Sequence, residues 1–139
     1  MLDAREEQMT LDEQLEGQIS KAESLEALTE PLAELLGKGY EVWHDGRLMV
    51  IKVLVARVNG LRIEIRVREH APPHFHLSGD SIDASFSVAD CTLIEGHIDP
   101  RHERLIKWWF QRSQPTLVEI WNKTRPTDCP VGLWQPERR

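Results

Sequence analysis

Apolar residues recur at three- and four-residue steps through Leu11, Leu15, Ile19, Ala22 and Leu25, which puts them on one face of a helix. Thr10-Leu11-Asp12-Glu13 supplies the start as a capping box, with Thr10 at the N-cap and Glu13 reaching back to it. Pro31 cannot donate to the preceding turn and is expected to break or restart the helix. Thr29 then caps a second, short helix through Leu32, Leu35 and Leu36, with Gly37 and Gly39 as natural stops. Because most amphipathic stripes pack on their own domain, these helices are expected to form an extra layer on the core rather than a partner surface.

From Tyr40 the period shortens to two. Val42-Trp43-His44 reads as a strand turned at Asp45-Gly46. Leu48 to Val58 is long, apolar and β-branched, as expected of a central strand, and Asn59-Gly60 is a second hairpin turn. Leu61, Ile63, Ile65 and Val67 alternate with Arg62, Glu64, Arg66 and Arg68, the mark of a half-buried strand. Pro72-Pro73 forces an extended, unpaired link. His74 to Leu77 reads as a short strand ending at Ser78-Gly79-Asp80. Ile82, Ala84, Phe86 and Val88 alternate with Ser81, Asp83, Ser85 and Ser87, and Thr92 to Gly96 is a last edge strand.

Helical spacing returns after Asp99-Pro100, an N-cap followed by proline at the first helical position. One helix from His102 to Arg112 presents Leu105, Ile106, Trp109 and Phe110. Another starts at Ser113 to Pro115 and presents Leu117, Val118, Ile120 and Trp121. Beyond Arg125, Pro126, Pro130 and Pro136 indicate an irregular tail. The expected fold is α+β: an antiparallel sheet of four to six strands covered on one face by helices, with an N-terminal helical arm. The expected division is an acidic helical arm over 1–39, an α+β core over 40–125 and a tail over 126–139.

Length and composition fit a soluble globular chain: 139 residues, 40% apolar and 29% charged, enough for one domain with a real core. No apolar run approaches a membrane span, and the acidic start has no signal-peptide core. Cys91 and Cys129 lie far apart with no C-x-x-C, so reduced thiols and a cytoplasmic location are expected. The net charge of −6 is uneven, since residues 1–45 hold 12 acidic and 3 basic side chains and residues 46–139 hold 11 and 14. Nucleic acid is therefore possible as a partner but not favoured by charge, and a local basic face is allowed on the second part.

Chemistry concentrates in Glu69-His70-Ala71-Pro72-Pro73-His74-Phe75-His76. Residues two apart on a strand share a face, so His74 and His76 form a two-nitrogen set for zinc or a similar divalent transition metal at about 2.0–2.2 Å. His70 is a third candidate ligand across the diproline bend. His97, His102, Glu95 and Asp80 are candidates for a fourth, or water. In a hydrolase, Glu69 or Asp80 would act as base. Anion or nucleic-acid binding would instead use Arg62, Arg66 and Arg68 beside the histidines, and plain structural use is the third alternative. Cys91 follows an apolar strand and is expected to be buried and inert. Arg101, Arg104 and Lys107 form a basic stripe expected to be solvated. Of Trp108 and Trp109, one is expected in the core and the other on the far side of the helix.

The stretch from Ile63 to Leu77, with its E-H-x-P-P-H-x-H pattern, resembles a family of small bacterial proteins known as domain of unknown function DUF 4160. The resemblance runs through Asp83, Glu95-Gly96 and the helices at Leu105 to Trp109 and Leu117 to Trp121, roughly residues 61–122. It carries Glu69, His70, His74 and His76 as signature positions. It implies no established activity, and it implies members encoded beside small partners and grouped with toxin–antitoxin modules. The leading expectation is thus an interaction module, one component of a toxin–antitoxin-like pair with a small cognate partner protein and the histidine loop as its surface. The alternative is a metal-dependent hydrolase or nuclease.

Overall fold

The computed structural model describes residues 10–37, 39–51, 58, 60–65 and 73–124. Among them, helices α1 (Leu11–Lys21) and α2 (Leu25–Leu36) lead into a hairpin of β1 (Tyr40–Val42) and β2 (Leu48–Val50). The strands β3 (Arg62–Ile65), β4 (His74–Gly79), β5 (Ile82–Ser87) and β6 (Leu93–His97) follow, and helix α3 (Pro100–Thr124) comes last. The four later strands form an antiparallel meander in sequence order, and β1 and β2 form a separate two-stranded sheet. The architecture is α+β, as the periodicities indicate.

α1 starts where the capping box places it. Thr10 Oγ1 accepts from the Glu13 amide at 3.1 Å and donates to the Glu13 carboxylate at 3.0 Å. It ends sooner than expected. The break falls at Ala22–Ser24, and Ser24 Oγ accepts from the Ala27 amide at 3.1 Å to cap α2. Pro31 therefore lies inside α2 and does not restart it. A proline in a helix interior forfeits one hydrogen bond, but the ring is buried beside Leu28, Leu32, Leu35 and Leu36, and that packing decides the outcome. Thr29, expected as a cap, instead donates its hydroxyl to Leu25 O within the helix.

The two helices expected at the end are one helix of 25 residues with Pro115 inside it. Leu105, Trp109, Ser113, Leu117 and Trp121 recur every four residues, and all five are fully buried. This stripe crosses the proline unbroken, so burial on both sides holds the helix together. Asp99 caps it, accepting from the His102 amide at 2.8 Å.

Of the apolar run read as a central strand, Leu48–Val50 pairs with β1, and the Ile51 amide continues that register by donating to Gly39 O; residues 52–57 and Asn59 lie outside the described residues. The turn at Asp45-Gly46 is where the sequence puts it, with Trp43 and Arg47 closing the hairpin. The edge strand expected at Thr92 to Gly96 is β6.

The core is continuous from the helices to the sheet. Leu15 and Ile19 of α1, Leu28 and Leu32 of α2, Phe75, Leu77, Ala84 and Phe86 of the sheet and Trp109 of α3 belong to one buried cluster. Phe75 stacks between Phe86 and Phe110, with ring centroids 5.5 and 6.1 Å away, so α3 covers one face of the meander. Both adjacent tryptophans are buried. Trp109 Nε1 donates to Leu28 O, and Trp108 Nε1 donates to Asp12 of α1. The acidic first helix docks through such contacts, since Glu16 also receives Arg112, whose guanidinium lies 3.7 Å from the Trp108 ring centroid. The basic stripe expected to be solvated is tied down as well. Arg101 donates to Gly37 O and Tyr40 O, Arg104 grips Glu41 through two hydrogen bonds, and Lys107 pairs with Glu103.

Candidate functional site

β4 alternates strictly. Phe75, against Trp109 and Phe110 of α3, and Leu77 are buried, which sends His74, His76 and Ser78 to the opposite, outer face. The strand register lines up the neighbours on that face. Glu64 of β3, His76 of β4, Ser85 of β5 and Glu95 of β6 stand in one row, and Arg62, Ser78, Asp83 and His97 stand in the next. Directly opposed side chains on one face are close enough to interact.

His76 is held at both ring nitrogens: Nδ1 lies 2.8 Å from Ser85 Oγ and Nε2 lies 2.8 Å from Asp83 Oδ1. A carboxylate only accepts, so Nε2 is the donor to Asp83, and a serine hydroxyl can either donate to Nδ1 of the neutral ring or accept from Nδ1 of the charged one. Serine, histidine and aspartate are thus connected in the order of a hydrolase triad, but their exposure is inverted. A triad needs an open serine and a sheltered aspartate. Here Ser85 is 5% exposed and the Asp83 side chain is 80% exposed. The arrangement fixes an imidazole and a carboxylate on the sheet surface and gives a substrate no route to the hydroxyl.

The sequence-derived candidates fall into three groups. His74 and His76 share the outer face, and Arg62 lies on it too, with Nη2 2.6 Å from Glu64. Glu69, His70, Arg66 and Arg68 lie outside the described residues. Asp80 is exposed in the turn after β4 with φ 49°, a left-handed conformation that aspartate tolerates. Of the possible fourth ligands, Glu95 and His97 are on β6, opposite Ser85 and Asp83. His102 is elsewhere, bound to Asp99 and Leu36 O at the start of α3. Among the described residues no group of three or more His, Cys, Asp or Glu side chains is placed to hold a metal ion. Cys91 is buried, and burial pushes its thiol up to about 12, so it stays a thiol and is no nucleophile. The Ser85–His76–Asp83 network was not among the candidates. Its signal is the two-residue turn Asp80-Ser81, which pairs Gly79 with Ile82 and so His76 with Ser85.

At the margin of this face, all five residues of β6 are exposed, with Leu93 at 38% and Ile94 at 54%. Phe86 pairs with Leu93 and Ser85 with Glu95, so Ile94 is the extra residue of a bulge. Gly96 has φ 93°, and a Cβ there would collide with Asp83 O.

The family model described as Domain of unknown function (DUF4160) matches residues 60–122. The meander and most of α3 therefore resemble that family, as the histidine motif indicates. No curated protein and no solved structure matches the chain. No helix among the described residues is long and apolar enough to cross a membrane.

Proposed function

We propose that this protein is an interaction module, one component of a toxin–antitoxin-like pair, acting in the cytoplasm. Its recognition surface is the outer face of the meander with the adjoining edge strand β6. The observation that carries the reading is the fixed His76: both nitrogens are engaged by Ser85 and Asp83, so the side chain displays an ordered polar pattern on this face. On the edge strand beyond β5, the bulged Ile94, with Leu93 opposite Phe86 on the other face, supplies exposed apolar area of the kind that anchors an interface. The bulge at Ile94 and the left-handed Gly96 twist the edge, a device that discourages indiscriminate strand addition. Recognition therefore rests on side chains. Arg62 is matched by Glu64, and Asp83 and Glu95 add negative charge, so the described part of the face suits a protein better than a nucleic acid.

The test is co-expression with the products of the genes that flank this one, followed by affinity purification of any pair. Ile94→Arg is expected to reduce co-purification at least about tenfold, as loss of an anchor residue does, and Lys123→Glu on the exposed end of α3 is expected to leave it unchanged. Equal recovery of wild type and Ile94→Arg would sink the reading. Near-stoichiometric metal in wild type that disappears in His74→Ala/His76→Ala would replace it with the metal-dependent hydrolase.

A further inference from the structure

We propose that His102 is a proton-operated latch joining the end of α2 to the start of α3. The argument is an inventory of donors. Its Nδ1 lies 2.7 Å from Asp99 Oδ2, and its Nε2 lies 2.9 Å from the backbone carbonyl of Leu36. A carbonyl only accepts, and a carboxylate only accepts. A neutral imidazole has one N–H, so it satisfies one of these partners and turns a lone pair toward the other; the imidazolium has two N–H groups and satisfies both. Asp99 is not free to swing away, because its other oxygen holds the His102 amide at 2.8 Å and caps α3. Only 17% of the His102 side chain is exposed, so little water reaches the ring to substitute for a missing partner.

The surroundings set the balance. The carbonyls at the end of α2 are the negative end of its dipole, where a cation is favoured, and Asp99 adds a full negative charge. Against these stand Arg101, which donates to Gly37 O and Tyr40 O, and Arg104. Arg104 is neutralised by Glu41 of β1, and Glu103 is engaged by Lys107. From α2, Glu34 accepts the Tyr40 hydroxyl at 2.8 Å. The latch is closed while the ring is protonated. As pH rises and the proton leaves, the contact to Leu36 O or to Asp99 becomes repulsive, and the last turn of α2 loses its side-chain cap.

The experiment uses the full chain with 15N-labelled histidine, followed by NMR between about pH 5 and 8, the range in which imidazole changes charge. Amide hydrogen exchange is read in the last turn of α2 and at Tyr40. At the acid end both His102 nitrogens are expected to carry protons. As the ring deprotonates, the protection factor at these amides, which takes out the intrinsic base-catalysed rise of exchange with pH, is expected to fall about tenfold, the scale of one lost hydrogen bond to a charged group. Asp99→Asn keeps the cap and offers an amide N–H to Nδ1, so a neutral ring is satisfied at both ends and the pH dependence should vanish with protection retained. His102→Gln keeps a donor for Leu36 O without titrating and should also be flat, which covers the case in which Asp99→Asn fails to fold. A neutral ring at the acid end, or a wild-type pH dependence in His102→Gln, would overturn the proposal.

Discussion

The outer face of the meander and the junction of α2 with α3 each hold an imidazole between two oxygens, and they differ in reach. His76 bridges Ser85 and Asp83, and Ser85 is only nine residues away on a strand already laddered to its own. His102 bridges Asp99 and Leu36, and Leu36 is 66 residues away on a different helix. The first contact adds little to a fold that the ladder already secures, so it is available for recognition. The second joins segments far apart in the chain, alongside the contacts of Arg101 with Gly37 O and Tyr40 O. The partners differ too: a serine hydroxyl can donate or accept, so His76 is satisfied as a neutral ring, whereas a carbonyl gives His102 no such choice.

This contrast can be broken at the junction first. Trp109→Ala removes a fully buried ring against Phe75 and its hydrogen bond to Leu28 O, and should cost about 3–5 kcal/mol in denaturant unfolding. A loss below about 1 kcal/mol would show that the helical layer is not what the core depends on. Ser113→Ala should move the other way. The Ser113 hydroxyl is fully buried and has no partner among the described residues, so removing it should add about 1 kcal/mol and raise the melting temperature.

A smaller effect concerns acid. Two hydrogen bonds from Arg104 hold the Glu41 carboxyl below the usual carboxylate range. A depressed carboxyl contributes stability that is present above its unfolded-state value and is lost as pH falls through the folded one. Arg104→Ala should therefore lower stability modestly at neutral pH, converge with wild type at the acid end and so flatten the acid limb; an unaltered acid limb would count against the pair. The smallest effect belongs to the outer face. Asp83→Ala should change stability by less than about 1 kcal/mol, as exposed ion pairs do. A larger loss would mean that His76 is structural after all and would erase the contrast with His102.

Local signals made much of the fold legible. The capping box at Thr10, the turn at Asp45-Gly46, the alternation along β5 and the Asp99-Pro100 start of α3 are each set by a few adjacent residues, and each appears in place. The errors came where packing overrode a local rule. Pro31 and Pro115 read as breaks because their missing N–H is visible in the sequence and the burial that compensates is not. Ser113 hid the continuity of α3, since a polar residue in the middle of a stripe reads as its end. The outer face was legible as a set of polar residues, including Asp83 and the serines. The pairing of His76 with Ser85 required the register, which one turn dictates but composition does not. The clamp of Arg101 on Gly37 and Tyr40 was invisible because the partners are backbone carbonyls.

The docking of the first helix has a consequence for the order of folding. Asp12 meets Trp108, and Glu16 meets Arg112, across 96 residues in each case, whereas β3 to β6 pair only with sequence neighbours. Loop closure taxes the distant contacts most, so the meander gathers first and α1 arrives late, with φ-values near zero in its contacts with α3. On the ribosome, α1 emerges well before the helix it needs. Its polar face, with Asp12, Glu13 and Glu16 against Lys21 alone, then keeps an unpartnered amphipathic segment in solution until α3 is made.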